Sequence, residues 1–243
     1  MFVGIGTTIN ILAILLGSAI GVFAGAKFPE RIRALMTDVL GAITILGAAS
    51  AAISLWSVEL RSALPRGWPL LVILISLILG GLIGSMFEVE SRLESWGVRL
   101  KNRFDSRGES PFVEGFVTAS LVFAIGPLAI LGSISDGMAT GIDQLALKST
   151  LDFFAAVAFA SAFGWGVAAS ALPVGIYQGL WTLIGFGLGT ILEPYQVAAM
   201  TATGSVLLLG IAFKLLGIKT MRVADLLPAL AIAPLLALLV NRF

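Results

Sequence analysis

Lys148 and Asp152 stand four residues apart in KSTLD, the spacing at which an ammonium and a carboxylate meet on one face of a helix. Asp136 precedes them, near the close of FVEGFVTASLVFAIGPLAILGSISDG, the run from Phe112 to Gly137. Glu114 stands near the start of that run, and Gly126-Pro127 interrupts its middle. Proline at 127 removes a backbone donor and crowds the carbonyl four residues earlier. In hydrocarbon such a break survives only where protein groups or a water-filled cavity satisfy the freed polar atoms. The pattern is common in proteins that bind or move solutes at mid-membrane.

The chemistry these groups suit is non-covalent. Carbonyls near Ala124 and Ile125 are candidates to coordinate a cation. Lys148 would pair with Asp152 or attract an anionic group, Asp136 would serve as a coupling carboxylate, and Glu114 would guard the cytoplasmic end. A charge near the centre of a membrane helix costs about 2.5–3.5 kcal/mol on insertion scales, so it tends to be paired or to line a polar cavity. The competing reading leaves Asp136, Lys148 and Asp152 at the interface among headgroups and water. Asp38, at the start of the second span, and Glu114 also suit simple snorkelling near the cytoplasmic face. Gln178 falls within PVGIYQGLWTL and needs a buried partner. Asn10, Thr118, Ser120, Ser133, Ser161 and Thr182 add neutral polar groups to apolar stretches.

The chain has no cysteine and no histidine. Disulfides, thiolate sites, Ser-His nucleophiles, HExxH zinc sites and histidine-ligated haem are therefore excluded. An intramembrane aspartyl protease needs two facing carboxylates. Asp38 and Asp152 are the available pair, and GID at 141–143 is only a partial echo of the GxGD motif. We expect no enzyme, no catalytic residue, no cofactor and no metal site. A net charge of +1 gives no reason to expect a nucleic-acid partner.

The elements that must hold these residues are membrane spans. Hydrophobic residues make up 58% of the 243 and charged residues 12%, against about 25% charged in soluble domains. Mean hydropathy is +1.03. The N-terminal run lacks the basic start and small-residue cleavage site of a secretory signal and reads as a retained first span. Eight stretches approach the roughly 20 apolar residues a span requires, at about 4–26, 36–57, 69–87, 112–134, 150–171, 173–192, 196–216 and 226–241. The expected fold is all-α, a polytopic transmembrane bundle with a broken fourth helix, forming one integral membrane domain over 1–243. Residues 1–87 supply three spans, 88–111 a cytoplasmic interfacial helix or linker, and 112–243 the other five. The fifth and sixth spans touch at Leu172-Pro173 as a hairpin, and 135–149 reads as a loop or a re-entrant turn. With the N-terminus outside, eleven Lys and Arg lie in inner loops and four outside, the favoured bias.

Within 88–109, Val89, Leu93, Trp96, Leu100 and Phe104 recur at helical spacing, as for a helix in the headgroup layer or a solvated linker. Gly17-xxx-Gly21 followed by MTDVLGAITILG is echoed by Gly185-xxx-Gly189 followed by MTATGSVLLLG. This hints at two inverted halves. Such small-residue faces serve close packing within the chain or a homo-oligomer.

The run from Glu114 to Gly179 resembles a bacterial family of multi-pass membrane proteins, the Domain of Unknown Function 554 family. The resemblance rests on EGFVTASLVFAIGPLAILGSISDG, LALKSTLDFFAAVAFASAFGWGVAASALPV and YQG, and extends to GTTINILAILLGSAIG and ALMTDVLGAITILGAAS. It implies an integral protein of the bacterial cytoplasmic membrane, with recurrent polar positions at Glu114, Ser120, Gly126, Pro127, Asp136, Lys148, Asp152 and Gln178. No catalytic role comes with them. The leading expectation is a small-solute or ion permease. The alternative is a non-transporting sensor or scaffold that docks a partner through 88–109.

Overall fold

Low charge and long apolar runs produce helices throughout. The computed structural model describes residues 2–26, 28–104, 111–125, 127–188 and 192–242, with no strand among them. Expectations placed on Lys27, Arg107, Glu109, Gly126 and Gly189 lie outside the described residues. The helices are α1 (Ile5–Gly25), α2 (Glu30–Ala52), α3 (Val58–Ala63), α4 (Trp68–Met86), α5 (Val89–Phe104), α6 (Phe112–Ala124), α7 (Pro127–Gly137), α8 (Asp143–Phe163), α9 (Gly166–Ala169), α10 (Ala171–Leu188), α11 (Pro194–Leu215) and α12 (Pro228–Asn241). Contacts divide the chain into two compact units. One is Met1–Leu40 with Leu93–Ile191, and the other is Gly41–Arg92 with Leu192–Phe243.

In the first unit α1 and α8 touch backbone to backbone. Gly17, Gly21 and Gly25 lie against the carbonyls of Phe153, Val157 and Ser161, where a Cβ would meet the oxygen. Both series ascend together, so the helices run parallel. Lipid gives helices no hydrophobic reason to associate, and small residues allow the close approach that holds them. At one end of α8, Phe163 packs on Gly115 of α6; at the other, Leu145 packs on Gly132 of α7. The pair α6–α7, bent by 65°, therefore runs the length of α8 as one crossing. With the seven helices among the described residues that are long and apolar enough to span, the candidate spans number up to eight. α5 packs through Gly97 on Phe116 and Val113 and leaves Trp96 exposed.

Of the boundaries that differ from the hydropathy reading, two bear on the site. The fifth span begins at Asp143 rather than 150, because Lys148 and Asp152 neutralise each other on one helix face and so remain inside it. The expected hairpin at Leu172-Pro173 is absent. The chain turns at Gly164, whose φ of 74° and ψ of −151° suit glycine. Pro173 lies in the first turn of α10, where the missing N–H has no intrahelical partner to lose. Residues 135–149 divide between the end of α7, a short link with Ala139 and Gly141 at positive φ, and the opening turns of α8.

In the second unit α4 meets the 3-10 turn Val223–Leu226 and α12. Gly84 approaches the Asp225 carbonyl and Gly80 the Ala229 backbone, an antiparallel order. The Glu90 backbone N–H donates to Asp225 Oδ1 at 2.9 Å, while Ala224 N–H donates to Glu90 Oε2 at 2.6 Å. Each carboxylate thus accepts from the other segment's first turn. Leu60, Leu64, Val72, Ala199, Ala233 and Ala237 form the buried cluster that ties α3 to α4, α11 and α12.

Candidate functional site

The close α1–α8 contact brings short polar side chains within reach of one another. Lys148 and Asp152 form an ion pair along α8, and Asn10 on α1 donates its amide to the same carboxylate oxygen of Asp152 at 3.0 Å. The Asn10 amide also donates to Gln178 Oε1 of α10 at 3.2 Å. Asn10 and Gln178 are 0% exposed, Lys148 5% and Asp152 7%. At 1.5 Å per residue, Asp152 lies about 14 Å into α8 and Gln178 about 10 Å into α10.

The carboxylate fixes the amide orientations. Asp152 accepts only, so Asn10 must present its NH2, and Gln178 must then present its oxygen to Asn10. Asn10 Oδ1 and Gln178 Nε2 are left buried with no partner from the protein. Each such buried atom costs about 1–3 kcal/mol if nothing meets it. The arrangement offers a polar guest one acceptor and one donor beside a neutralised ion pair.

A second branch reaches Asp136 at the end of α7. Its Oδ2 accepts the Thr7 backbone N–H at 3.2 Å, in the first turn of α1, where the helix dipole favours an anion. Thr7 Oγ1 and Thr182 Oγ1 are 3.1 Å apart, and Thr182 donates to the Gln178 carbonyl at 3.0 Å. With that proton committed, Thr7 is the donor between the two hydroxyls.

Of the residues singled out in the sequence, Asp136, Lys148, Asp152 and Gln178 gather around α1. Asn10 and Thr182 complete the group. Ser120 does not join it: it is buried but donates to the Phe116 carbonyl of its own helix. Glu114 and Asp38 are exposed. Pro127 opens α7 after Ile125 leaves helical conformation (φ −80°, ψ 109°), and Gly126 lies outside the described residues. Thr7 was not anticipated. Its signal is the Thr7-x-x-Asn10 spacing in GTTINI, which places both on one helical face. Among the described residues no group of three His, Cys, Asp or Glu could hold a metal ion.

A family model described as "Protein of unknown function (DUF554)" matches residues 5–238. The chain is similar to the uncharacterized protein YqgA of Escherichia coli (strain K12), 31% identical over 233 residues, which is 94% of each chain. It is also similar to the uncharacterized membrane protein YdfK of Bacillus subtilis (strain 168), 30% identical over 238 residues, 98% of this chain and 97% of the relative. No solved structure matches.

Proposed function

We propose that this chain, which belongs to the DUF554 family, is a permease for a small solute or ion in the bacterial cytoplasmic membrane. The observation that carries the reading is the buried group on α1, α8 and α10: an ion pair, two amides, and two amide atoms without a protein partner. A purely structural ion pair needs none of the last. Intramembrane ionisable residues that face protein rather than lipid mark solute or proton pathways. In this picture Asp152, Asn10 and Gln178 contact the solute, Lys148 holds the carboxylate in place, and Asp136 positions α1.

The loop charges support an N-terminus outside. Lys148, one of the four positive residues assigned to the outer side, is buried in α8, so the bias toward the inner loops sharpens. The test is flux in proteoliposomes across a panel of salts, amino acids and neutral polar solutes. Asp152→Asn should remove the flux found for wild type while the protein stays folded, and wild-type flux in that variant would take Asp152 out of the pathway. A sensor or scaffold that docks a partner through 88–109 predicts the reverse. There, charge reversal on α5 is damaging and Asp152→Asn silent.

A further inference from the structure

The second unit contains a basic groove that plays no part in transport as proposed above. The turn Ile53–Trp56, α3 and the start of α4 surround a space of about 800 Å³ lined by residues from Leu55 to Leu70. Leu55, Trp56, Val58 and Leu70 give it an apolar wall, and Arg61 and Arg66 line the same space. Both arginines are exposed, and neither forms an ion pair among the described residues. Glu59, the acid of this segment, does not line the groove. Glu193, at the start of α11, is engaged in the capping box of that helix.

The groove has a fixed floor. Leu60 and Leu64 are anchored in the buried cluster of this unit, and Ser57 Oγ accepts the Leu60 N–H at 3.2 Å to cap α3. Trp56 and Trp68 are exposed on the same segment, as tryptophans are at the headgroup level of a bilayer. With the N-terminus outside, as proposed above, Arg61 and Arg66 fall in an outer loop, against the bias governing insertion. A guanidinium presents a planar fork that matches phosphate oxygens two at a time.

We propose that this groove binds an anionic phospholipid. Arg61 and Arg66 hold the headgroup phosphate, and the upper acyl chain lies along Trp56, Val58 and Leu70. A choline headgroup brings a cation toward the two arginines, so zwitterionic lipid binds less well. The site is independent of the transport reading.

The test is native mass spectrometry of the full chain in detergent, titrated with phosphatidylglycerol or phosphatidylcholine. Phosphatidylglycerol should bind the more tightly. Arg61→Gln or Arg66→Gln should weaken it roughly fivefold each, and the pair about 25-fold. Arg31→Gln, an exposed arginine of the first unit, should change nothing. Circular dichroism checks that each variant is folded. Equal affinity for the two lipids, an unaffected double variant, or an equal loss in Arg31→Gln would overturn the proposal. So would displacement of the lipid by equimolar inorganic phosphate, which would assign the groove to a soluble anion.

Discussion

Replacing Lys148 by methionine tests whether the ion pair is held by protein or bathed in water. Lys148→Met keeps most of the side-chain volume but strips Asp152 of its cation, leaving the Asn10 amide at 3.0 Å as the donor on the paired oxygen. Removing one partner of a buried pair costs about 3–5 kcal/mol, because the remaining charge is uncompensated. Replacing both, as in Lys148→Met/Asp152→Leu, removes the stranded charge. Asn10 keeps Gln178 at 3.2 Å, so the residual penalty is one unmet amide hydrogen, about 1–3 kcal/mol. The double variant should therefore be more stable than Lys148→Met by roughly 2 kcal/mol. Asn10→Ala should fall between them. Reversible unfolding in bicelles by steric trapping measures all of these on one scale. If Lys148→Met lowers stability by less than about 1 kcal/mol, the pair behaves like an exposed one, and the account of a protein-enclosed group fails.

Gly21→Ala should destabilise the fold by about 1–3 kcal/mol through overpacking, since its Cβ would meet the Val157 carbonyl, while Gly47→Ala, with open space around it, should be tolerated. Thermal unfolding of the two variants compares them directly. Asp225→Ala removes the acceptor for the Glu90 N–H and the partner of Arg222 at 2.8 Å. It should cost about 1–2 kcal/mol, as for a lost helix cap, and speed amide exchange at Glu90. Because the chain has no cysteine, single cysteines at Ser62 and Arg31 report topology cleanly. In intact cells a membrane-impermeant thiol reagent should label Ser62→Cys and not Arg31→Cys, and the reverse pattern would invert the proposed orientation.

Much of the architecture was legible in the sequence because hydrocarbon imposes a simple rule on length and apolarity. The bent fourth span was readable from Pro127 and α4 from its uninterrupted aliphatic run. The start of α8 was not, since Lys148, Ser149 and Thr150 lower a hydropathy window that cannot see the neutralising contact one turn away. The turn at Gly164 was hidden among many glycines, while Pro173 drew attention although proline is at ease in a first helical turn. At the site, Lys148–Asp152 followed from spacing, but the links to Asn10 and Gln178 depend on which glycine face of α1 meets α8. From sequence Asp136 reads as a coupling carboxylate or as an interfacial group among headgroups and water. The structure gives it the first turn of α1, a packing outcome that the local sequence does not encode.

The three glycines of α1 against the carbonyl ridge of α8 make those two helices one mechanical body, since sliding either would drive backbone into backbone. Lys148, Asp152 and Asn10 all ride on that body. Gln178 and Thr182 belong to its neighbour, tethered by two neutral contacts of 3.2 and 3.1 Å. Interhelical bonds of this kind average about 0.6 kcal/mol, little more than thermal energy. α10 in turn lies backbone to backbone on α7, with Gly185 against the Ile134 carbonyl and Gly137 against the Thr182 carbonyl. A parting of α10 from α1 would therefore have to carry α7 along, and the charged couple would stay assembled on α1 and α8.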